Sequence, residues 1–249
     1  MEVNLGKSVL LIGYNFSPEL TGIGKYSGEM VQWLAKKGYA CTVLTTYPYY
    51  PHWKVQHPYR KNRFWFKKEV ISHPQQGKVT IYRCPIYVPA LPSGKKRMLL
   101  DLSFFVSAMI PLLKLIWSKK FDSVITIAPS FQLGFLGLLY KTFRKANHIY
   151  HIQDLQIEVA RDLGMIRSPR IIRILLRLEK FIMEHSEVVS SISEGMLSKI
   201  KKKTNTGVIL FPNWVDTSFF FPITDQNTLK PRFGFASTDK IVLYSGAVG

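Results

Sequence analysis

Thr21-Gly22-Ile23-Gly24-Lys25-Tyr26 stands between an apolar run, Ser8 to Gly13, and an amphipathic segment, Lys25 to Lys37. Val9, Leu10, Leu11 and Ile12 are apolar without alternation, the pattern of a parallel strand covered on both faces. Tyr26, Met30, Trp33 and Leu34 recur at helical spacing, and Gly38 stands where a helix would stop. The order is therefore strand, glycine loop, helix, followed by a second strand over Ala40 to Thr45. Such an opening predicts a right-handed crossover and a doubly wound α/β sheet. A glycine loop feeding a helix is also an anion site. The first-turn N–H groups lack intrahelical partners, and the dipole favours negative charge there. Gly22 and Gly24 are expected to let a ligand approach the main chain; a tight turn without a ligand is the alternative reading.

Outward from that start the pattern continues. Further strands are predicted over Val79 to Arg83, Ser123 to Ile127, His148 to Ile152, Val188 to Ser191 and Val208 to Phe211. Helices are predicted over Leu133 to Tyr140 and Pro169 to His185, with Pro169 in the first turn of the latter, and from Ser193, as cap, to Lys201. Tyr47 to Trp53 is a proline-stiffened aromatic loop, suited either to stacking on a sugar or to pinning itself. Arg60 to Lys68 interleaves basic and aromatic residues. Lys95 to Trp117 is strongly apolar but interrupted by Asp101, Ser103, Ser107, Pro111 and Lys114, which argues against a spanning helix. It fits a buried crossover helix or one lying on a membrane surface. Lys240 to Gly246 reads as a fresh buried strand, the first of a second domain truncated after it. The domains expected are 1–222 and 223–249, the latter a linker and that strand.

The 249 residues are 47% hydrophobic and 20% charged, as in a globular protein with a sizeable core. Lys plus Arg is 34 against 16 for Asp plus Glu, a net charge of +18 that would attract nucleic acid, an anionic membrane or phosphorylated ligands. Cys41 and Cys84 have no metal spacing and imply no disulfide framework, so a reducing cytoplasmic setting is expected. Met1 to Lys7 does not read as a secretory signal, because the following apolar run breaks at Gly13.

Two nucleotide chemistries fit poorly. A dinucleotide fingerprint would place its glycines directly after the first strand and an acid about 20 residues on. Here Tyr14 to Thr21 intervene, and the second strand ends in Thr45-Thr46. A Walker loop is absent because Lys25 lacks the required preceding glycine spacing. No recognised nucleic-acid motif accompanies the basic and aromatic residues.

Several stretches instead occur together in a meaningful order. They are Tyr14-Asn15-Phe16-Ser17-Pro18-Glu19-Leu20 leading into the glycine stretch, Pro48-Tyr49-Tyr50-Pro51-His52-Trp53, Arg83-Cys84-Pro85-Ile86-Tyr87-Val88-Pro89, His151-Ile152-Gln153-Asp154, Ser191-Ile192-Ser193, Phe211-Pro212-Asn213-Trp214 and Leu243-Tyr244-Ser245-Gly246. This ordered set resembles the N-terminal domain of GT-B fold family 4 glycosyltransferases, and within them the bacterial colanic acid biosynthesis group. The resemblance implies a Rossmann-like acceptor domain facing a donor-binding domain across a cleft, and sugar transfer with retention at the anomeric carbon. Catalysis would then be mostly placement plus stabilisation of charge on the departing phosphate.

By the same resemblance His151 would touch the transferred sugar, and Gly22 and Gly24 would lie against the donor diphosphate. Ile23 and Lys25 are placed with them at the diphosphate, Lys25 either assisting electrostatically or standing as an exposed first-turn lysine. His151 is independently a candidate, since it ends a strand in a sheet whose ligands should lie at carboxyl ends; a structural histidine is the alternative. Asp154 is read as orienting His151 or capping a helix. Glu19, Tyr49, Tyr50 and Trp53 are the acceptor candidates, Glu19 alternatively a turn carboxylate. The substrates implied are a nucleotide-sugar, suggested as a GDP-sugar such as GDP-fucose, and a lipid-linked or polysaccharide acceptor. No metal or other cofactor is expected. The setting would be the inner face of the cytoplasmic membrane, on an anionic lipid surface. The paired donor-holding residues of the family have no counterpart here, so the chain alone is expected to have little activity. A non-catalytic module binding an anionic lipid or polysaccharide precursor is the alternative.

Overall fold

The computed structural model describes residues 8–20, 22–72, 77–222 and 229–244. The chain divides into two units, 1–213 and 214–249. In chain order the first contains β1 (Ser8–Ile12), α1 (Gly22–Lys36), β2 (Ala40–Thr46), β3 (Lys67–Ser72), β4 (Lys78–Cys84), α2 (Gly94–Ser118), β5 (Ser123–Ala128), α3 (Leu133–Arg144), β6 (Asn147–Ile152), α4 (Gln156–Asp162), α5 (Pro169–Glu184), β7 (Val188–Ser191), α6 (Glu194–Lys201) and β8 (Val208–Leu210). The strands form one sheet in the order β3-β4-β2-β1-β5-β6-β7-β8. All pairings are parallel except β3 with β4. The strand order reverses between β1 and β5, so a crevice opens outside their carboxyl ends.

The unbroken apolar runs are explained by burial on both faces. Leu10 and Ile12 of β1 pack with Leu44, Val124, Phe104, Leu112 and Leu136 under α2 and α3. Val9 and Leu11 point the other way, with Val43, Ile125 and Ile127, against Val31, Leu34 and Ala35 of α1. A third cluster joins β6 and β7 to α3, α5 and α6 through Tyr150, Ile152, Leu138, Ile182 and Ile200. The doubly wound expectation therefore holds, with one difference. The sheet carries an antiparallel edge strand, β3, which begins in the last two residues of the basic and aromatic stretch Arg60 to Lys68 and continues beyond it. Its Lys67, Lys68 and Glu69 mask the strand signal, while Val70 and Ile71 remain exposed at the sheet edge.

His148 shows how closely the interior is fitted. It is fully buried on β6, with Ser186 Oγ 3.0 Å from Nδ1 and Thr126 Oγ1 2.8 Å from Nε2. Ser186 donates its single hydroxyl proton to the Ile182 carbonyl, so Nδ1–H must donate to Ser186 and bare Nε2 must accept from Thr126. A Cβ on Gly137 would lie 2.3 Å from His148 Nε2 and 2.7 Å from Thr126 Cγ2. Gly137→Ala is therefore expected to cost about 3 kcal/mol, through overpacking and loss of this network. Chemical denaturation checks it, and a loss below about 1 kcal/mol would show that the ring can move aside.

The second unit, 214–249, contains a short helix, α7 (Leu229–Arg232). Lys230 Nζ donates to the carbonyls of Ser237 and Asp239, both at 2.8 Å. The strand expected over Lys240 to Gly246 does not form over Lys240–Tyr244, which are irregular and exposed. Ser245 and Gly246 lie outside the described residues. Strand formation needs a neighbouring strand, and among the described residues this segment has none.

Candidate functional site

The carboxyl end of β1 leads into the loop 13–20, and α1 begins at Gly22. The helix thus starts three residues earlier than its apolar periodicity indicates, and Gly22, Ile23, Gly24 and Lys25 form its first turn. Thr21 lies outside the described residues. Gly22 has φ +58, a left-handed value that favours glycine, and the space where its Cβ would sit is open. Ile23 is half-buried against the core on the α1 side of the sheet. Lys25 pairs with Glu29 at 3.6 Å and lies over the Tyr26 ring.

Gly24 corrects the reading that both glycines open the backbone to a ligand. Its missing Cβ would lie 2.7 Å from Glu19 Cβ and 2.8 Å from Glu19 Oε2. Protein fills that space, and Gly24 is needed for packing. Gly28 behaves alike, facing Ser17 Cβ at 2.8 Å. Of the pair, only Gly22 is left open to solvent.

Glu19 is likewise corrected. It is 3% exposed, and its carboxylate is occupied internally. Oε1 accepts the backbone N–H groups of Tyr49 and Tyr50, each at 2.9 Å, and Oε2 accepts Asn15 Nδ2 at 2.8 Å. Glu19 therefore fastens the β1–α1 loop to the loop after β2 rather than presenting a carboxylate to an acceptor. Burial raises its pKa, against the lowering effect of those hydrogen bonds. Tyr49 is buried too, which removes its ring from stacking. Tyr50 and Trp53 are half-exposed and meet edge-on at 6.4 Å. Trp53 has φ 49, an uncommon conformation for a bulky residue and a form of strain found at ligand-binding positions.

His151 is the penultimate residue of β6 and 4% exposed. Its Nδ1 lies 2.9 Å from Ser190 Oγ, and its ring meets Phe211 edge-on at 5.5 Å. Burial lowers its pKa to about 4, so the ring is neutral at pH 7. The orienting partner is thus Ser190 of β7, the residue opposite in the parallel register, and not Asp154. Nor does Asp154 cap α4, whose cap position is Leu155. Asp154 is exposed beyond the end of β6.

Other side chains gather around the same crevice without a signal in the sequence. Asp101, on the inward face of α2, is 5% exposed and accepts Gln156 Nε2 at 2.9 Å. Burial raises its pKa to about 6, against the lowering effects of Gln156 and Arg97. The Tyr14 hydroxyl lies within the fields of Asp101, Tyr49, Asp154 and Arg97, and burial above all raises its pKa. Arg97 lies 5.1 Å from the Trp53 ring. Asp101 stood out in the sequence only as an interruption of an apolar run, and only the fold shows that it faces inward.

A model of the glycosyl transferase 4-like domain matches residues 21–214. The putative colanic acid biosynthesis glycosyl transferase WcaI of Escherichia coli K12 is 37% identical over 97% of this chain, which spans 59% of that relative's length. Among solved structures, sucrose-phosphate synthase of Thermosynechococcus elongatus matches with a TM-score of 0.58 at 16% identity, over 90% of this chain and 52% of its own. A shorter chain of the same synthase matches with a TM-score of 0.50 at 15% identity, over 84% of this chain and 90% of its own. These likenesses show the fold, the N-terminal half of the GT-B architecture.

Proposed function

The chain belongs to the glycosyl transferase 4-like family, and we propose that it forms the acceptor-side half of a retaining glycosyltransferase of exopolysaccharide biosynthesis. The donor is a nucleotide-sugar, a GDP-sugar such as GDP-fucose, and the acceptor is lipid-linked or a polysaccharide. The reaction then belongs at the inner face of the cytoplasmic membrane. The observation that carries this reading is the neutral, Ser190-held His151 near the carboxyl end of β6, the strand beside the β1–β5 pair where the order reverses. A neutral imidazole there offers a hydrogen bond to a sugar hydroxyl without competing for the diphosphate. The open first turn at Gly22, with Lys25 behind it, meets the negative charge that develops on the departing phosphate. On the acceptor side Asp101, with its pKa near 6, can take a hydrogen bond from the attacking hydroxyl, while Trp53 and Tyr50 supply faces for a sugar. The donor is held from the complementary half, so the chain alone turns over slowly.

The test joins this chain to the donor half of a two-domain relative and supplies labelled GDP-fucose with lipid-linked acceptor. Transfer with the donor's anomeric configuration is expected, with the chain alone at least about tenfold slower. His151→Ala should lower kcat by about a hundredfold while leaving the melting temperature within a few degrees. Inversion at the anomeric carbon, or unchanged turnover in His151→Ala, would refute the mechanism. Acceptor binding with no transfer would favour the non-catalytic precursor-binding module.

A further inference from the structure

The crossover helix α2 carries two apolar faces that point in nearly opposite directions. Leu100, Phe104, Ala108, Leu112 and Leu115 are buried against the sheet. Leu99, Leu102, Val106, Ile110, Leu113 and Trp117 are exposed, from 44% for Leu113 to 82% for Trp117. At about 100° per residue these six fall within an arc of about 80° that faces away from the buried side, in a stripe about 27 Å long. A core helix needs only the first face, and a stripe of this size on a soluble surface calls for a partner. The only acidic residue of α2, Asp101, is turned inward, whereas Lys95, Lys96 and Lys114 are exposed along it and Lys119 and Lys120 follow its end.

We propose that the outward face of α2 is a docking surface for an anionic lipid bilayer, with the stripe sunk to headgroup depth and the flanking lysines on lipid phosphates. An interfacial helix has this arrangement, with apolar residues along one side and cations that snorkel at the ends. A spanning orientation is excluded by the inward face, which belongs to the core and holds a buried carboxylate. A second copy of the chain fits the charges poorly. Paired parallel, Lys95 and Lys96 would face themselves; paired antiparallel, they would face Lys114, Lys119 and Lys120. Partial burial lowers the pKa of Lys119, and the nearby Lys68 and Lys78 charges lower it further, so an anion at this end would offset part of that repulsion. The inward side of the first turns carries Asp101 next to the proposed acceptor crevice, so docking would set that crevice at the lipid surface. This last step rests on the function proposed above; the docking itself does not.

The test is flotation of the purified chain with vesicles of phosphatidylglycerol and phosphatidylcholine against phosphatidylcholine alone, without donor or acceptor. Its failure therefore leaves the transfer reaction standing, and failed transfer leaves docking standing. Binding to the anionic vesicles, weakened by high salt, is expected. Val106→Asp with Ile110→Asp should reduce it at least about tenfold while keeping the circular dichroism spectrum. As a second measurement that needs no charged variant, brominated lipid should quench Trp fluorescence in the parent, and Trp117→Phe should remove most of that quenching. Absence of flotation overturns the proposal, and so does flotation unchanged by the double substitution. A dimer in sedimentation that the double substitution dissolves would overturn it in favour of a second copy.

Discussion

Replacing Arg83 with methionine is expected to cost about 4 kcal/mol and to lower the melting temperature by about 10 °C, although methionine fills much of the same volume. Arg83 is 2% exposed, at the penultimate position of β4, and its guanidinium bonds in three directions. Nε donates to Glu69 Oε2 of β3 at 3.0 Å, Nη1 to the Thr46 carbonyl at the end of β2 at 3.2 Å, and Nη2 to the Ser17 carbonyl at 2.7 Å. The Tyr59 ring lies against it at 5.0 Å. Methionine would strand the buried Thr46 carbonyl, the part-buried Ser17 carbonyl and a carboxylate oxygen of Glu69, and removing the buried member of a charged pair is among the costlier substitutions. Arg83→Lys should recover only part, since one ammonium cannot reach three separated acceptors in a planar fork. A separate readout concerns Glu69. Burial pushes its carboxyl up, but Arg83 and Lys67 together more than offset this and hold it below the ordinary range. In Arg83→Met the Glu69 titration should move upward. A variant within about 1 kcal/mol of the parent, with Glu69 unmoved, would show that Arg83 is not a hub.

The consequence for the site follows from Ser17. Its carbonyl is held by Arg83 and its side chain packs on Gly28, while two residues on Glu19 packs on Gly24 and ties down Tyr49 and Tyr50. The loop beside the first turn of α1 is thus fixed from within the protein by one cation and one carboxylate. This explains why Thr45 and Thr46 end the second strand without an acid. Both hydroxyls donate to the Tyr14 carbonyl, at 3.2 and 2.6 Å, and so secure the start of the same loop.

The regular part of the fold was legible because it rests on short-range periodicity. β7 and α6 have the bounds that Val188 to Ser191 and the capping Ser193 indicate, since four buried apolar or small residues and one capping hydroxyl suffice to define them. The edge strand β3 was not legible, because exposed lysines replace the apolar run that a central strand needs. The short α4 was missed for a related reason: over seven residues with Ile157 alone buried, a helix leaves little periodic signal. At the site, candidate positions could be read but not what each touches. Glu19 and Gly24 meet across a loop, His151 meets Ser190 39 residues later, and Asp101 meets Gln156 55 residues later. Residue type alone does not carry such pairings. The Lys95 to Trp117 stretch fitted two readings, and the helix serves the core with one face while leaving the other exposed.

Between pH 7 and pH 5 the protein is expected to lose about 2 to 3 kcal/mol of stability, with the two buried histidines as the cause. Burial lowers His148 to about 3, aided by the nearby Lys141 charge, and burial lowers His151 to about 4, both from 6.5. A base whose folded pKa is depressed adds stability above its unfolded pKa and loses it as pH falls. The unfolded chain takes up a proton that the folded chain refuses. At pH 5 the unfolded side chains are charged and the folded ones are not, which costs 1.5 pKa units or about 2 kcal/mol for each ring. Asp101 works the other way. Burial raises its folded pKa to about 6, so its contribution is present at low pH and lost as pH rises through 6. Acidification from pH 7 to pH 5 therefore returns about 1 kcal/mol through Asp101, which offsets part of the histidine loss. Chemical denaturation at the two pH values measures the sum, and His148→Asn isolates one contributor, since it removes the titrating ring and should remove about half of the histidine slope. If the loss were unchanged in His148→Asn, His148 would have to be protonating in place. The Nε2 acceptor facing Thr126 would then have to become a donor in the interior, where burial and the Lys141 charge both oppose a second positive charge.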